Sequence, residues 1–411
     1  MSPPRTKFPI LYRLTTALLV GVLGLVPGYA QPQAEVPALG GIPGLTPQNA
    51  WDLTGYVKYM ATLAIPDSGD NVLDHLVHQR FNFEYRFSGN LRINAGMRNR
   101  LLFGDSAELP GFGDRVGADP GYWDLTTNWL DKRGALGTTS FDRLYLNWHN
   151  DHWQLRGGRF RINWGMTTLF NPNDLFNSYS IYDFDYEERP GSDALMVTRK
   201  LGFASQLDLV YNPDSDSTLS SYAGRYRFNH RGWDGQLLLG RAGLDNVLGI
   251  GFAGEVGGAG LRGEITRFHT TESQWAGQPR ADATVASIES DYSFGGRRNW
   301  LGRAALLYLS HPQDPDSALA FLGLPLTART LSFTRWSGYA ELGFDPSALS
   351  RLTLSTTGYD DGSLFIGLSA SYSLATDWQL LGVLQRFDGR GDSLFGQTPS
   401  TLLYGQVRWS F

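Results

Sequence analysis

Eighteen times between Trp51 and Phe411 the chain alternates apolar and polar residues with a period of two, in stretches of about 7–15 residues. Successive side chains of a strand point to opposite faces, so each stretch describes a strand with one greasy and one wet side. The stretches lie near 52–63, 76–88, 91–103, 139–149, 152–162, 193–199, 203–211, 218–229, 232–242, 245–256, 259–268, 283–294, 299–309, 329–344, 350–359, 363–373, 377–387 and 401–411. The links between them alternate as well. Ser88-Gly89-Asn90, His149-Asn150-Asp151, Lys200-Leu201-Gly202, Asn229-His230-Arg231 and Gly257-Gly258 are tight turns, whereas 104–138, 163–192, 269–282, 310–328 and 388–400 are long. An all-β chain of hairpins with short turns at one end and long loops at the other follows.

That pattern predicts a transmembrane antiparallel β-barrel of about eighteen strands, with sixteen as the alternative count. Strands of this length cross a bilayer when tilted. In lipid only closure leaves no backbone N–H or C=O unpaired. A soluble chain of several sandwiches leaves the loop asymmetry unexplained. With Trp51 at the periplasmic rim every long link falls outside, and an even strand number returns Phe411 to the periplasm. Trp51, Tyr56, Trp148, Trp153, Tyr211, Trp233, Trp300, Trp378 and Trp409, near strand ends, are expected in interfacial girdles. No window after residue 30 approaches the run of about 18 apolar residues that marks a membrane helix.

The two ends fit this reading. Arg5, Lys7 and Arg13 precede an apolar run from Leu14 to Val26, then Pro27 and the small-residue site Gly28-Tyr29-Ala30. That is the layout of a cleaved secretory signal peptide, 1–30, and the run is too short for a spanning anchor. Residues 31–50, rich in Pro and Gly, read as a flexible lead-in to a barrel over 51–411. In the last strand Leu403, Gly405, Val407, Trp409 and Phe411 share one face, and Tyr404, Gln406, Arg408 and Ser410 the other. A terminal aromatic after such a strand resembles the C-terminal strand of Gram-negative outer-membrane barrels. The resemblance implies handling by the outer-membrane assembly machinery through that strand, with outer-membrane lipid around it.

Composition removes other classes. There is no Cys, hence no disulfide framework and no Cys-ligated metal. A net charge of −5 argues against nucleic acid as a partner. The seven histidines lie at strand ends or in links, and no Gly-x-Ser-x-Gly elbow, HExxH helix or Walker loop is present. No cofactor or resident metal is expected, and no enzyme; a barrel hydrolase without a linear signature is the lesser alternative.

The apolar side of each strand identifies its lipid face and so its lumen face. Phe81, Phe83, Tyr85 and Phe87 face out, which sends Arg80, Asn82, Glu84 and Arg86 inward. By the same rule Arg92, Asn94, Arg98 and Arg100 point in, then Arg143, Tyr145 and Asn147, then Gln154 and Arg156. A β-bulge at Gly157-Gly158 is expected to flip the phase, so that Phe160, Ile162 and Trp164 face out and Arg159, Arg161 and Asn163 also face inward. Nine inward arginines oppose one inward acid, Glu84, in a chain that is acidic overall. Arg225 and Arg227 fall opposite Tyr222, Tyr226 and Phe228. Guanidinium groups stay charged and bind carboxylate or phosphate bidentately, and rings of them favour anions in pores. The alternative is pairing with loop acids.

The link from Trp164 to Ser192 supplies such acids: Asn171, Asn173 and Asp174, then Asp183, Asp185, Glu187, Glu188 and Arg189. At this length it is expected to be inserted in the lumen and to define a constriction. Phe170, Phe176, Tyr179, Tyr182, Phe184 and Tyr186 offer either a sugar-stacking track or packing within the loop. Asp183, Asp185 and Glu187 could hold Ca²⁺, although the spacing lacks the glycine turn and distal Glu of a defined calcium loop.

Together these features resemble Gram-negative outer-membrane porins, in which the third loop folds into the lumen. Gly158-Arg159-Phe160-Arg161-Ile162-Asn163-Trp164-Gly165, Asn171-Pro172-Asn173-Asp174 and Glu188-Arg189-Pro190-Gly191-Ser192-Asp193 are similar to a segment of alginate-export-type barrels and their uncharacterised relatives. That resemblance covers about forty residues and implies an 18-stranded monomer with an arginine-rich lumen passing an anionic polysaccharide. Sugar-specific 18-stranded porins, usually trimers, are the other near relative. The expectation is passive passage of small anionic solutes or anionic oligo- or polysaccharide across the Gram-negative outer membrane. A non-conducting barrel that anchors or assembles surface polysaccharide is the alternative.

Overall fold

The structure, a computed structural model, describes residues 49–178, 191–313, 315, 317–318, 321 and 326–411. The expected signal peptide and most of the lead-in lie outside these residues. The strands are β1 (Trp51–Pro66), β2 (Val72–Arg86), β3 (Leu91–Gly104), β4 (Thr126–Lys132), β5 (Ala135–His149), β6 (Trp153–Phe160) and β7 (Ser192–Lys200). There follow β8 (Gln206–Asn212), β9 (Ser221–His230), β10 (Trp233–Ala242), β11 (Asp245–Val256), β12 (Ala259–Thr270), β13 (Gln274–Trp275) and β14 (Gln278–Pro279). The last seven are β15 (Ala283–Gly295), β16 (Trp300–Leu309), β17 (Trp336–Ser347), β18 (Ser350–Tyr359), β19 (Ser363–Ala375), β20 (Trp378–Gly389) and β21 (Ser400–Ser410).

Eighteen of these form an antiparallel barrel in chain order, closed by β21 against β1 from Tyr56↔Ser410 to Pro66↔Ser400. Each of the eighteen sequence segments overlaps one of them. β4 pairs only with β5, at its outer end, and β13–β14 is a minute hairpin in the link after β12. These three, and helix α1 (Phe112–Val116), were not legible: they are short and carry no sustained alternation. One rim has turns of two to five residues, and the other has the long links. Among the described residues no helix is long and apolar enough to cross a membrane.

The alternation sorts the faces. Leu403, Val407 and Trp409 are exposed on the outer wall, while Gln406 between them is buried in the lumen. Tyr56 is the exception among the girdle aromatics: it faces inward and is 3% exposed. Its ring meets His78 edge-on at 5.3 Å and lies under the Arg408 guanidinium at 4.4 Å. Even-numbered residues of β1 all face the lumen, so proximity to a strand end did not decide its side.

The expected bulge at Gly157-Gly158 is also placed differently. Pairing of β6 with β5 and β7 runs through both glycines without a register shift. Gly158 instead adopts φ +124°, and a β-carbon there would strike the Leu144 carbonyl oxygen. The extra residue sits on β5: Gly96 pairs with Arg143 and Met97 with Phe141, leaving Asp142 unpaired between them. The bulge delivers the Asp142 carboxylate to Arg80, which grips it with two bonds of 2.6 and 3.0 Å. Segment 329–344 likewise becomes strand only from Trp336, because Leu331 and Phe333 turn inward and are buried.

The Arg80–Asp142 pair is fully buried, and a β-carbon on Gly96 would stand 2.7 Å from Arg80 Nη2 and 2.8 Å from Asp142 Oδ1. Gly96→Val therefore overpacks the bulge that holds this pair. A loss of about 1–3 kcal/mol is expected in urea unfolding of the refolded barrel, against no change for Gly382→Ala, whose β-carbon meets nothing.

Candidate functional site: the lumen

β6 stops at Phe160, and the chain from Arg161 onward enters the lumen instead of extending the wall. Apolar side chains drive this. Ile162, Trp164, Leu169 and Phe170 are buried against the inward residues Met196 of β7, Leu238 of β10, Phe268 of β12 and Val285 of β15. Covering an apolar patch on an inner wall removes it from water and offsets the entropy of holding the loop.

Hydrogen bonds fix its register. Glu264 on β12 accepts from the backbone N–H groups of Met166, Thr167 and Asn173, the last two at 2.9 Å. Glu289 on β15 accepts from Thr168 N at 2.8 Å, Leu169 N at 3.1 Å and Thr168 Oγ1. Both carboxylates are buried. Gln236 Nε2 donates to the Trp164 carbonyl at 2.7 Å, and Thr266 Oγ1 to the Pro172 carbonyl at 2.8 Å. Asn173 Nδ2 donates to the Ile250 carbonyl at 3.1 Å. The described loop residues singled out from sequence are all inside this contact: Asn171 holds Thr167, Asn173 bridges β11 and β12, and Asp174 is fully buried. Asp183, Asp185, Glu187, Glu188 and Arg189, with the aromatics from Tyr179 to Tyr186, lie outside the described residues. Glu264 and Glu289 were missed. The sequence offered little signal, because Glu264 shares its inward row with Arg262 and Thr266, and Glu289 with Asp291.

The arginines divide by partner. Arg80 is closed on Asp142, with Arg98 at 4.0 Å from the same carboxylate. Arg86 pairs with Asp52 and with Glu84 at 2.8 Å, and Arg92 reaches Glu84 at 3.5 Å. Arg100 and Arg143 stand on the same inward rows, opposite Thr138 and Gly96. Arg161 follows β6 into the loop. Arg225 takes Asp208 through Nε at 3.0 Å and Nη2 at 2.6 Å, with its guanidinium 5.1 Å from the Trp164 ring centre.

Arg159 spends all five donors. Nε and Nη2 hold the two oxygens of Asp193 at 2.7 and 2.8 Å, and Nη1 holds Asp119 at 2.8 Å. The remaining bonds go to the carbonyls of Phe141 at 3.1 Å and Trp123 at 2.6 Å. It thereby ties the ends of β6 and β7 to the segment around Asp119. Arg156 and Arg227 differ from all of these. Arg156 faces the lumen with Nη2 on the Met196 sulfur at 3.1 Å, its guanidinium 4.9 Å from the Phe160 ring centre and Nε unbonded. Arg227 is exposed between Gln206 and Gln236. Neither has a carboxylate partner among the described residues. No group of three metal-ligating side chains occurs among the described residues.

Two measurements test this arrangement. Replacing both Glu264 and Glu289 by Gln removes the charge that strengthens the loop bonds, so amide exchange over Met166–Asn173 should accelerate at least about tenfold by hydrogen-exchange mass spectrometry. Burial pushes the Asp119 carboxyl up, but the bonds from Arg159 and from the Gly121 and Thr126 donors outweigh this and hold it below its ordinary 3.8. Its stabilisation is complete above that value and is lost as pH falls below it. The stability gap between the native chain and Asp119→Asn should therefore be constant near neutrality and close on acidification below about pH 4; a gap independent of pH would contradict the pairing.

No protein-family model matches the chain, and no curated protein sequence does. Solved structures do. OccK11 (OpdR) of Pseudomonas aeruginosa aligns over 88% of this chain and 96% of its own at 10% identity, with a TM-score of 0.56. The outer membrane protein OprD of the same organism aligns over 88% and 94% at 10% identity, with a TM-score of 0.55. P. aeruginosa OpdK, solved with vanillate, aligns over 88% and 98% at 10% identity, with a TM-score of 0.53. The likeness is one of fold, the closed 18-stranded barrel. It does not support the alginate-export-type resemblance.

Proposed function

We propose that the chain is a passive channel of the Gram-negative outer membrane for small anionic solutes, with an arginine-lined lumen narrowed by the loop after β6. The observation that carries this is the allocation of charge. Glu264 is spent on loop amides, Glu289 on loop amides with Arg262 and Arg303, Asp142 and Asp208 on Arg80 and Arg225, and Asp119 and Asp193 on Arg159. Among the described residues Arg156 and Arg227 have no carboxylate in ion-pair contact on the lumen face. Their charge attracts anions, and contacts that are single and weak allow release. The paired arginines serve as the fixed frame; their field adds to the attraction only through incomplete neutralisation. A fold of this kind has been solved with vanillate, a carboxylate, in OpdK. Anionic oligo- or polysaccharide is the larger solute of the same chemistry.

The test is single-channel recording in a planar bilayer under a tenfold KCl gradient. Steady openings with a reversal potential favouring Cl⁻ are expected. Replacing Arg156 and Arg227 together by Ala should lower the Cl⁻/K⁺ permeability ratio about two- to fivefold while the channel stays open. Cation selectivity in the native chain would overturn the anion reading. A sealed lumen would overturn the channel and favour a barrel that anchors surface polysaccharide.

A further inference from the structure

On the lipid-facing side of β10, β11 and β12 the surface changes from apolar to cationic within one step of the strand. Leu239 is 67% exposed, and Leu237, Leu248, Ile250 and Ile265 are each about half exposed, forming a continuous greasy strip. The next outward-facing row toward the long-loop rim is different. Arg241 on β10 pairs with Asn246 on β11, which pairs with His269 on β12. Arg267, two residues from His269, stands between Leu248 and Thr284. Strand spacing and rise put the Arg241 and Arg267 backbones about 12 Å apart.

The charge here is unbalanced. Arg241 donates to the carbonyls of Gly243 at 2.7 Å and Thr218 at 3.0 Å, both neutral acceptors. Arg267 donates to Thr284 Oγ1 at 3.0 Å and shares a single carboxylate, Asp282, with His269. Its side chain is 51% exposed and that of His269 68%. Among the described residues two guanidinium groups thus face outward over one acid. Arg386, also on the lipid-facing side near this rim, shows the contrast: Asp67 takes both its Nη atoms at 2.5 and 2.8 Å, and Asp388 adds a bond of 2.8 Å. That guanidinium is saturated. The excess belongs to β10–β12.

We infer that this strip is a docking surface for a phosphorylated, acylated glycolipid of the outer leaflet. Its acyl chains lie along Leu239, Leu248, Ile250 and Ile265. Its phosphates sit on Arg241 and Arg267, whose planar forks bind phosphate oxygens in pairs. Asn246 and His269, between them in the same band, meet the sugar hydroxyls. The occupant follows from the surface: an anionic head alone would not need the greasy strip, and a neutral lipid would leave two guanidinium groups facing the head-group layer without counter-charge. The inference rests on the reading of the chain as an outer-membrane barrel. It is independent of what passes through the lumen.

The experiment counts lipid retained by the full barrel in detergent, by native mass spectrometry, after incubation with bis-phosphorylated lipid A, its monophosphorylated form or phosphatidylglycerol. Bis-phosphorylated lipid A should be retained, and the paired substitution Arg241→Ala with Arg267→Ala should weaken it about tenfold. Lysine at both positions should recover part of the loss. Heat-modifiable gel mobility reports folding; should the alanine pair fail to fold, the glutamine pair replaces it. Equal retention by native chain and variant, equal retention of phosphatidylglycerol, or displacement by inorganic phosphate at the same concentration would each overturn the glycolipid surface. Bilayer conductance separates the two readings, because Arg241 and Arg267 face lipid and their loss should leave it unchanged. A native chain that binds lipid A through these arginines but does not conduct keeps this surface and loses the channel.

Discussion

Every strand must find a partner on both edges, because hydrocarbon supplies none. A backbone N–H or C=O left open to lipid costs several kcal/mol, so β1 and β21, at opposite ends of the sequence, have to meet. Their eleven-residue register from Tyr56↔Ser410 to Pro66↔Ser400 is the condition for the other pairings to exist in a membrane. Once the sheet is closed, the period-two pattern has only one consistent orientation. The greasy faces turn out, and every charge carried on the opposite face is confined to one lumen. The arginine wall is therefore a product of closure together with alternation, and the protein must then dispose of that charge.

It does so by spending carboxylates one at a time. Asp142 goes to Arg80 by means of a bulge, Asp208 to Arg225 across one strand, and Asp119 and Asp193 to Arg159 at the short ends of β6 and β7. Buried pairs of this kind contribute little net stability, but breaking one leaves an uncompensated charge and costs about 3–5 kcal/mol, so they behave as positional locks. Two further acids, Glu264 and Glu289, are given to peptide N–H groups. That assignment seats the loop, and Glu289 meets Arg262 at 3.5 Å and Arg303 at 4.0 Å as well. Among the described residues Arg156 and Arg227 receive no carboxylate from this distribution.

How much of this could be read beforehand follows from which forces are local. Strand number, order and face were legible because lipid imposes one rule on every second residue. Tyr56 shows the limit: an aromatic near a strand end satisfies the girdle rule and the lumen rule equally, and only parity with Lys58 and Met60 decides. The alternation puts a phase change at Gly157-Gly158, whereas the bulge lies at Asp142, where the cause is a buried arginine on another strand. Such a cause is invisible to periodicity. Glu264 and Glu289 escaped for the same reason, since their partners are backbone amides some 90 to 120 residues away in sequence. The length of the link pointed correctly to an insertion but not to the wall that receives it, and Phe160, Ile162 and Trp164, expected to face lipid, are buried inside.

The same logic separates the two faces functionally. Inside, an arginine is kept in place by acids and its residual field acts on a solute through water. Outside, acids are scarce, since an unpaired carboxylate beside acyl chains is costly, and an arginine at the rim must borrow counter-charge from its surroundings. Arg386 borrows from Asp67 and Asp388 within its own chain. Arg241 and Arg267 have one acid, Asp282, between them, and for them the nearest source of negative charge is the head-group layer itself. A barrel that distributes its carboxylates this unevenly couples two properties that need not share a residue. On the proposed reading, anion attraction follows from which lumen arginines go without an acid, and lipid attachment from which outer ones do.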